Sequence, residues 1–209
     1  MTDIVVASNR AELKRARAAL QGRVAVVMTM GALHEGHAQL MDVARQHADH
    51  VVATIFVNPR QFGVGEDLDR YPRTFDADLA VCTAHGVDVV FAPGVEEIYP
   101  ADEQVPAISA GFLATVLEGA HRPGHFDGVV TVVSRMLDLA RPDVAVFGEK
   151  DAQQLAVIRQ MVAGQGRAVE IVGVPTVREP DGLAMSSRNR YLSDVERGQA
   201  LAIFRALQA

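Results

Sequence analysis

The chain has 209 residues, of which 49% are hydrophobic and 22% charged, and its formal net charge is −6 at pH 7. This length suits one sizeable α/β domain, with room for a fragment of a second. The acidic balance and the lack of a Lys/Arg run argue against nucleic acid as a partner. No signal-peptide pattern and no apolar run of membrane-spanning length is present, so we expect a cytoplasmic protein without membrane contact. A single cysteine, Cys82, excludes an internal disulfide framework.

Short runs rich in Val and Ile alternate along the chain with amphipathic segments of helical length. The predicted strands are Val24–Met28, Val51–Val57, Val87–Ala92, Val144–Phe147 and Val169–Val174. The predicted helices are Arg10–Leu20, Gly36–Ala48, Phe75–His85, Gly128–Ala140, Asp151–Ala163 and Asp194–Gln208. The alternation indicates βαβ units, and the nearly continuous apolar character of the strands indicates helices on both faces of a parallel sheet. We predict an α/β fold, a Rossmann-like doubly wound parallel sheet with flanking helices.

The turn after the first predicted strand carries the sequence Met28-Thr-Met-Gly-Ala-Leu-His-Glu-Gly-His37 and leads into a helix. Backbone N–H groups at a helix start are free to bind an anion, and the helix dipole favours negative charge there. His34 and His37 share one face of the first turn, so both rings could donate to phosphate oxygens. We rank nucleotide-phosphate binding first and a surface histidine pair second. Zinc ranks third, because His-x-x-His lacks the spacing of His-Glu-x-x-His.

Two further polar motifs follow predicted strands, Asn58-Pro-Arg-Gln-Phe62 and Gly148-Glu-Lys-Asp151. The carboxyl ends of parallel strands are where ligands bind in such folds, so we expect both motifs to join the histidine turn in one site. Lys150 is a compact cation suited to a phosphate. Gln153 and Gln154 begin a predicted helix, so one should point into the crevice and the other away.

Two loops nearer the C-terminus offer further candidates. Asp181–Asn189 presents hydroxyl and guanidinium donors suited to a triphosphate, although a serine turn with a surface arginine explains the same pattern. Arg122 and His125, in a glycine-bearing loop, either contact substrate or hold that loop. The acidic residues do not form a metal cluster, and we expect Asp67 and Asp69 to be solvated. The metal ligands stay unassigned, since nucleotide-bound Mg²⁺ keeps several waters and only one or two protein ligands.

Together these segments resemble the pantothenate synthetase (pantoate–β-alanine ligase) family, nucleotidyltransferases with a motif like His-x-Gly-His. The resemblance rests on Thr29–His37, Phe56–Phe62, Glu66–Thr74, Arg122–Val133, Gly148–Leu155 and Arg178–Asn189. It implies the ATP-dependent condensation of (R)-pantoate with β-alanine to pantothenate, AMP and diphosphate. It also implies a pantoyl-adenylate intermediate and a requirement for Mg²⁺.

The resemblance also implies roles for individual residues. His37, His34 and Lys150 would be catalytic, with His37 the candidate proton donor and Lys150 on the α-phosphate. ATP binding is implied for Met30, Gly31, Ala32, Leu33, His34, Glu35, Gly36, His37, Gly148, Glu149, Lys150, Asp151, Val177, Met185, Ser186, Ser187 and Arg188. Val177 would line the adenine pocket, and Met185–Arg188 would close over the triphosphate. Pantoate and β-alanine binding is implied for Gln61, Gln154 and Asn58, the last of which is also a common turn opener with a purely structural interpretation.

The resemblance further implies a homodimer and two parts of the chain. Residues 1–175 would form the Rossmann-like domain that binds ATP and pantoate, and residues 176–209 would begin a C-terminal lid. Because the family's lid is longer, we expect it to be largely absent here. Two alternatives stay open, a truncated fragment that only binds its ligands and another nucleotidyltransferase of the superfamily. A phosphate-bearing acceptor would require more basic residues beside Gln61 and Gln154 than the adjacent Arg60.

Overall fold

A computed structural model describes residues 4–209 of the chain. Six parallel strands form one sheet in the spatial order β1-β4-β3-β2-β5-β6. The strands are β1 Val5–Ala7, β2 Val24–Thr29, β3 His50–Ile55, β4 Val89–Phe91, β5 Val144–Gly148 and β6 Glu170–Val174. The helices are α1 Arg10–Ala19, α2 Glu35–His47, α3 Phe75–Ala84, α4 Val95–Ile98, α5 Glu118–His121, α6 His125–Ala140, α7 Ala152–Gly164 and α8 Asp194–Gln208.

This architecture confirms the predicted α/β fold with a doubly wound parallel sheet. Strand β1 is missing from the prediction because it is three residues long and pairs only with β4 at the sheet edge. Helix α6 begins at His125 rather than at the predicted Gly128, directly after Gly124, whose φ of +81° reverses the chain. The short helices α4 and α5 lack the amphipathic repeat on which the prediction relied.

Alternate residues of the central strands pack into two apolar layers, one on each face of the sheet. Val24 and Val26 of β2 join the layer formed with α1, α6 and α7. The neighbouring Ala25 and Val27 join the layer formed with α2 and α3. Successive strand side chains point to opposite faces, so this division follows from the strand period. Both layers are apolar, which explains the uninterrupted hydrophobic run of β2.

The ligand-binding crevice of such a sheet lies where the winding direction reverses. Here β2 pairs with β3 on one side and with β5 on the other, so the reversal falls between β2 and β5. The chain beyond β6 leaves the sheet and forms a bridge between Arg178 and Ala184, a 3-10 turn at Ser187–Tyr191, and α8. Between residues 4 and 209, no helix is long and apolar enough to cross a membrane.

Candidate active site

A cavity of about 220 Å³ opens at the carboxyl ends of β2 and β5. Its wall brings together the histidine turn, the loop after β3 and the loop after β5, as the motif positions predicted, and it also includes the segment after β6. The predicted site residues on this wall are Met30, His34, Gly36, His37, Asn58, Gln61, Gly148, Lys150, Asp151, Gln154, Val177, Met185, Ser186, Ser187 and Arg188. Gly31, Ala32, Leu33, Glu35 and Glu149 do not line it.

The turn at residues 31–33 faces a buried carboxylate instead of the cavity. Asp78 of α3 is 2% exposed and accepts the backbone N–H groups of Ala32 at 3.0 Å and Leu33 at 2.8 Å. Gly31 donates its N–H to the hydroxyl of Thr29 at 3.2 Å. Both Gly31 and Ala32 have positive φ, at +85° and +50°, and the bonds to Asp78 hold this left-handed backbone in place. The N–H groups of residues 31–33 therefore bond within the protein and are not available to an anion.

The two histidine side chains accept hydrogen bonds from two of the N–H groups at the start of α2. His34 is the N-cap, and its Nδ1 accepts from the N–H of Gly36 at 3.1 Å. The Nδ1 of His37 accepts from the N–H of His34 at 3.3 Å. A neutral imidazole carries its proton on the nitrogen that does not accept, so each ring has a free Nε2–H. The ring centroids lie 4.1 Å apart, which confirms the predicted shared face and places two donors side by side.

Both rings are neutral at physiological pH. Burial, reinforced by the neighbouring His34 and Lys150, lowers the pKa of His37 to about 3. Burial is also the largest cause that lowers the pKa of His34, followed by Lys150. A neutral imidazole donates a hydrogen bond but holds no acidic proton to transfer at pH 7. The geometry and the charge state thus favour stabilisation of phosphate oxygens by His37 over proton donation.

The loop after β5 carries the predicted cation, Lys150. The Nζ of Lys150 lies 3.0 Å from Oδ1 of Asp151, and both side chains are partly exposed. Asp151 is the only carboxylate on the cavity wall in the described part of the chain. Over the same residues, no group of three or more His, Cys, Asp or Glu side chains could hold a metal ion. This donor set suits a Mg²⁺ ion that arrives on nucleotide phosphates and retains most of its waters.

The two adjacent glutamines after β5 point in different directions, as predicted. Gln154 lines the cavity. The Nε2 of Gln153 instead donates to the carbonyls of Leu113 at 2.6 Å and Val116 at 2.8 Å. Gln153 therefore fixes the loop before α5, and Gln154 is left to contact a ligand.

Arg122 and His125 do not line the cavity. Of the two roles considered from the sequence, contact with substrate or support of a loop, their hydrogen bonds favour support of a loop. The Nδ1 of His125 donates to the carbonyl of Gln61 at 2.7 Å. Arg122 binds both carboxylate oxygens of Glu66, at 2.7 and 2.8 Å. Gly128 of α6 permits close approach of the same loop, because a Cβ there would overlap the carbonyl oxygen of Arg60. These contacts seat the loop that carries Gln61 against α6.

The segment after β6 reaches back across the cavity mouth. Ser187 donates its hydroxyl to the carbonyl of Ala32 at 3.0 Å, and Ser186 makes the expected serine turn by accepting the N–H of Arg188 at 3.3 Å. Arg188 binds both oxygens of Asp67, at 2.8 and 2.9 Å. The expectation that Asp67 is solvated is wrong, because this pair shields a side chain that is only 16% exposed.

The sequence interpretation missed the apolar wall of the cavity. One face of α6 supplies Val129, Val132, Val133 and Met136, and Phe56 adds an aromatic side chain. The spacing of three and four residues on α6 is the helical signal for one shared face. That signal was present in the sequence, but it does not distinguish a core face from a ligand-facing one.

Comparisons with known proteins show the family to which the chain belongs. A sequence model described as Pantoate-beta-alanine ligase matches residues 5–209. The chain belongs to the pantoate–β-alanine ligase family. It is 62% identical over 203 residues to a pantothenate synthetase of Acidothermus cellulolyticus, with 97% of this chain and 67% of that protein covered. Relative to the curated family members that it matches, the chain spans between 57% and 73% of their length.

Solved structures of family members share this fold over almost the whole chain. The pantothenate synthetase of Thermus thermophilus is 53% identical with a TM-score of 0.92, covering 99% of this chain and 74% of that one. The pantoate-β-alanine ligase of Francisella tularensis, in complex with beta-gamma ATP and β-alanine, is 36% identical with a TM-score of 0.93. In that comparison the alignment covers 99% of this chain and 80% of the other.

Proposed function

We propose that this chain uses ATP to condense (R)-pantoate with β-alanine through a pantoyl adenylate, and releases pantothenate, AMP and diphosphate. One observation carries the proposal beyond family membership. Two neutral Nε2–H donors and the cations Lys150 and Arg188 share one cavity with the amides of Gln61 and Gln154. The cavity thus combines donors for a triphosphate with donors for a small polar acid.

In the first step, the pantoate carboxylate attacks the α-phosphorus of ATP and the bond to diphosphate breaks. The attacking carboxylate is already ionised, so this step requires no proton donor. Negative charge grows on the phosphate oxygens, where His34, His37 and Lys150 supply pre-positioned donors. Each such donor contributes about 3–4 kcal/mol of transition-state stabilisation, as for an oxyanion hole. In the second step, the neutral amine of β-alanine attacks the acyl carbon, the bond from that carbon to the phosphate oxygen breaks, AMP leaves, and the nitrogen releases one proton.

The nucleotide would lie across the switch point between β2 and β5. Gly148–Asp151 would hold ribose and phosphate, Val177 would line the adenine pocket, and Met185–Arg188 would cover the triphosphate. Mg²⁺ would arrive on the triphosphate and offset its charge, with Asp151 as the nearest carboxylate. These segments all contribute residues to one cavity, which supports a single nucleotide position.

Pantoate would lie between Gln61, Gln154 and the apolar face of α6. Its carboxylate and hydroxyls suit the two amides, and its two methyl groups suit Val129 and Val133. Gln61 would also lie near β-alanine. A phosphate-bearing acceptor fits less well, because Lys150 and Arg188 are the only Lys or Arg side chains on the cavity wall within residues 4–209, and this proposal assigns both to the nucleotide.

We also propose a cytoplasmic homodimer with a domain boundary near residue 175. The boundary is supported by the end of the sheet at Val174, beyond which the chain forms no strand in the described residues. The dimer is supported by Phe112 and Leu117, each 75% exposed on the loop that Gln153 fixes. The net charge of −6 supports the absence of nucleic acid as a partner.

Product analysis with all three substrates tests this function. AMP and pantothenate should appear in equal amounts, and only when ATP, pantoate and β-alanine are all present. A phosphorylated analogue of pantoate should compete poorly. Strong competition by the phosphorylated analogue would favour a different nucleotidyltransferase. Binding of ATP and pantoate without AMP release would show that the chain only binds its ligands.

A further inference from the structure

A hydrogen-bonded chain runs from Gln61 through Asn58, which also lines the cavity, to Tyr99, which does not. Its centre is Asn58, which is 1% exposed. Its Nδ2 donates to Oε1 of Gln61 and to the carbonyl of Gly128, each at 3.1 Å. Its Oδ1 accepts from the hydroxyl of Tyr99 at 2.8 Å and the N–H of Arg60 at 3.2 Å. A carboxamide has two N–H donors and two acceptor sites, so Asn58 has none left for a ligand.

This arrangement fixes which end of Gln61 faces the cavity. The backbone N–H of Arg60 can only donate and the carbonyl of Gly128 can only accept, so the amide of Asn58 has one allowed orientation. Its remaining N–H must then point at Oε1 of Gln61. The Nε2 of Gln61 is left on the cavity side, where it donates one N–H to the sulfur of Met30 at 3.2 Å. Gln61 therefore presents its second N–H, and not its carbonyl oxygen, to a ligand.

Tyr99 completes the chain from outside the cavity. Its ring packs 6.3 Å from that of Phe56 and lies 3.9 Å from the guanidinium carbon of Arg60. Burial raises the pKa of Tyr99 to about 12, so its hydroxyl stays protonated and donates throughout the physiological range. The hydroxyl thereby occupies the acceptor site on Asn58 that no backbone group fills.

We propose that Tyr99 is a positioning residue that acts through Asn58 to hold the Gln61 amide with its second N–H toward an acid substrate. The proposal rests on the proposed function, in which Gln61 binds the oxygens of pantoate. A misplaced Gln61 would weaken pantoate binding and leave the nucleotide site unchanged, because in the described residues neither Tyr99 nor Asn58 is hydrogen-bonded to His34, His37 or Lys150. This separation gives the proposal a specific kinetic signature.

The first test is Tyr99→Phe, which removes one hydroxyl and keeps the ring that packs on Phe56. The KM for pantoate should rise about three- to tenfold, the effect of a lost buried hydrogen bond, and the KM for ATP should stay unchanged. Because KM does not depend on how much of the sample is folded, the test survives partial loss of folded protein. Tyr191→Phe is the matched control, since its hydroxyl donates to the carbonyl of Arg70 at 3.0 Å.

A double-mutant cycle separates positioning from a merely structural role. In a Gln61→Ala background, Tyr99→Phe should raise the pantoate KM no further, because its effect passes through Gln61. Asn58→Asp keeps the acceptor for Tyr99 but loses the donor to Gln61, and it should raise the pantoate KM more than Tyr99→Phe does.

Three results would overturn the proposal: equal rises in both KM values, an effect of Tyr99→Phe that persists without Gln61, or an unchanged pantoate KM in an active variant. A wild-type chain with no pantoate-dependent activity would instead contradict the proposed function.

Discussion

The two parts of the cavity wall to which we assign the triphosphate are built differently. On one wall, His34 and His37 sit on a turn fixed by the buried Asp78 and by the capping bonds of α2. On the other, Arg188 is held by Asp67 in an ion pair whose arginine side chain is 44% exposed. Buried hydrogen bonds fix the histidine turn, and a buried hydrogen bond from Ser187 to Ala32 anchors the backbone beside Arg188, but the guanidinium of Arg188 itself is held by a partly exposed ion pair.

This difference indicates which wall is preformed. Removing a buried acceptor leaves its donors unsatisfied, so the histidine turn has no alternative conformation of similar free energy. An exposed ion pair contributes about 0–1 kcal/mol, so Arg188 can exchange Asp67 for a phosphate with little loss of stability. We infer that the histidine wall receives the triphosphate and that the Arg188 side chain adjusts to it.

The largest expected effect is on catalysis by the preformed wall. His37→Ala should slow adenylate formation about 10²–10³-fold, the usual loss for one pre-positioned donor, without unfolding the protein. Rapid-quench measurement of adenylate formation checks this, with His121→Ala as the control because His121 is exposed outside the cavity. Equal rates in His37→Ala and wild type would remove His37 from the chemistry.

The second-largest effect is expected on the stability of the turn at residues 31–33. Asp78→Asn replaces an acceptor oxygen with an amide that faces backbone N–H groups, and should lower the free energy of unfolding by about 2–3 kcal/mol. Urea unfolding measures the loss, and the KM for ATP should rise in the same variant. Asp76→Asn, exposed in the same turn of α3, is the matched control. Similar losses in the two variants would contradict a special role for Asp78.

The protonation of His37 gives a pH dependence of stability. Its pKa is about 3 in the folded protein and 6.5 in the reference state, so the unfolded chain binds the extra proton. Stability should therefore fall as the pH drops below 6.5, by up to about 2 kcal/mol at pH 5 from this group. His37→Asn should reduce that loss between pH 7 and pH 5. An identical pH dependence in wild type and variant would exclude a buried neutral His37.

The smallest effect is expected at the adjustable wall. Asp67→Asn should lower stability by at most about 1 kcal/mol, because the pair is partly exposed. It should leave ATP affinity unchanged or improve it, since Asp67 competes with phosphate for Arg188. Arg188→Ala should weaken ATP binding about tenfold, as expected for the loss of a charge-assisted hydrogen bond. Weaker ATP binding in Asp67→Asn would mean that the pair supports the site instead of competing with the nucleotide.

The features of the fold and the site that the sequence predicts depend on local patterns. The alternation of apolar runs and amphipathic segments predicts the sheet, and polar motifs at strand ends predict that His37, Lys150 and Gln154 converge. The features that the sequence does not predict depend on contacts between residues that are far apart in the chain. Asp78 binds a turn 45 and 46 residues away, and Arg188 binds Asp67 across 121 residues. No local pattern reports such partners, and Ala32 in a left-handed conformation runs against its own propensity.

Pantoate-dependent exchange of labelled diphosphate into ATP, measured without β-alanine on this 209-residue chain, tests the central claim most directly. Exchange requires reversible formation of an acyl adenylate, so it isolates the step assigned to the histidine wall and Lys150. We predict exchange that depends on pantoate and is lost in His37→Ala. ATP binding without any pantoate-dependent exchange would contradict the claim that this cavity forms pantoyl adenylate.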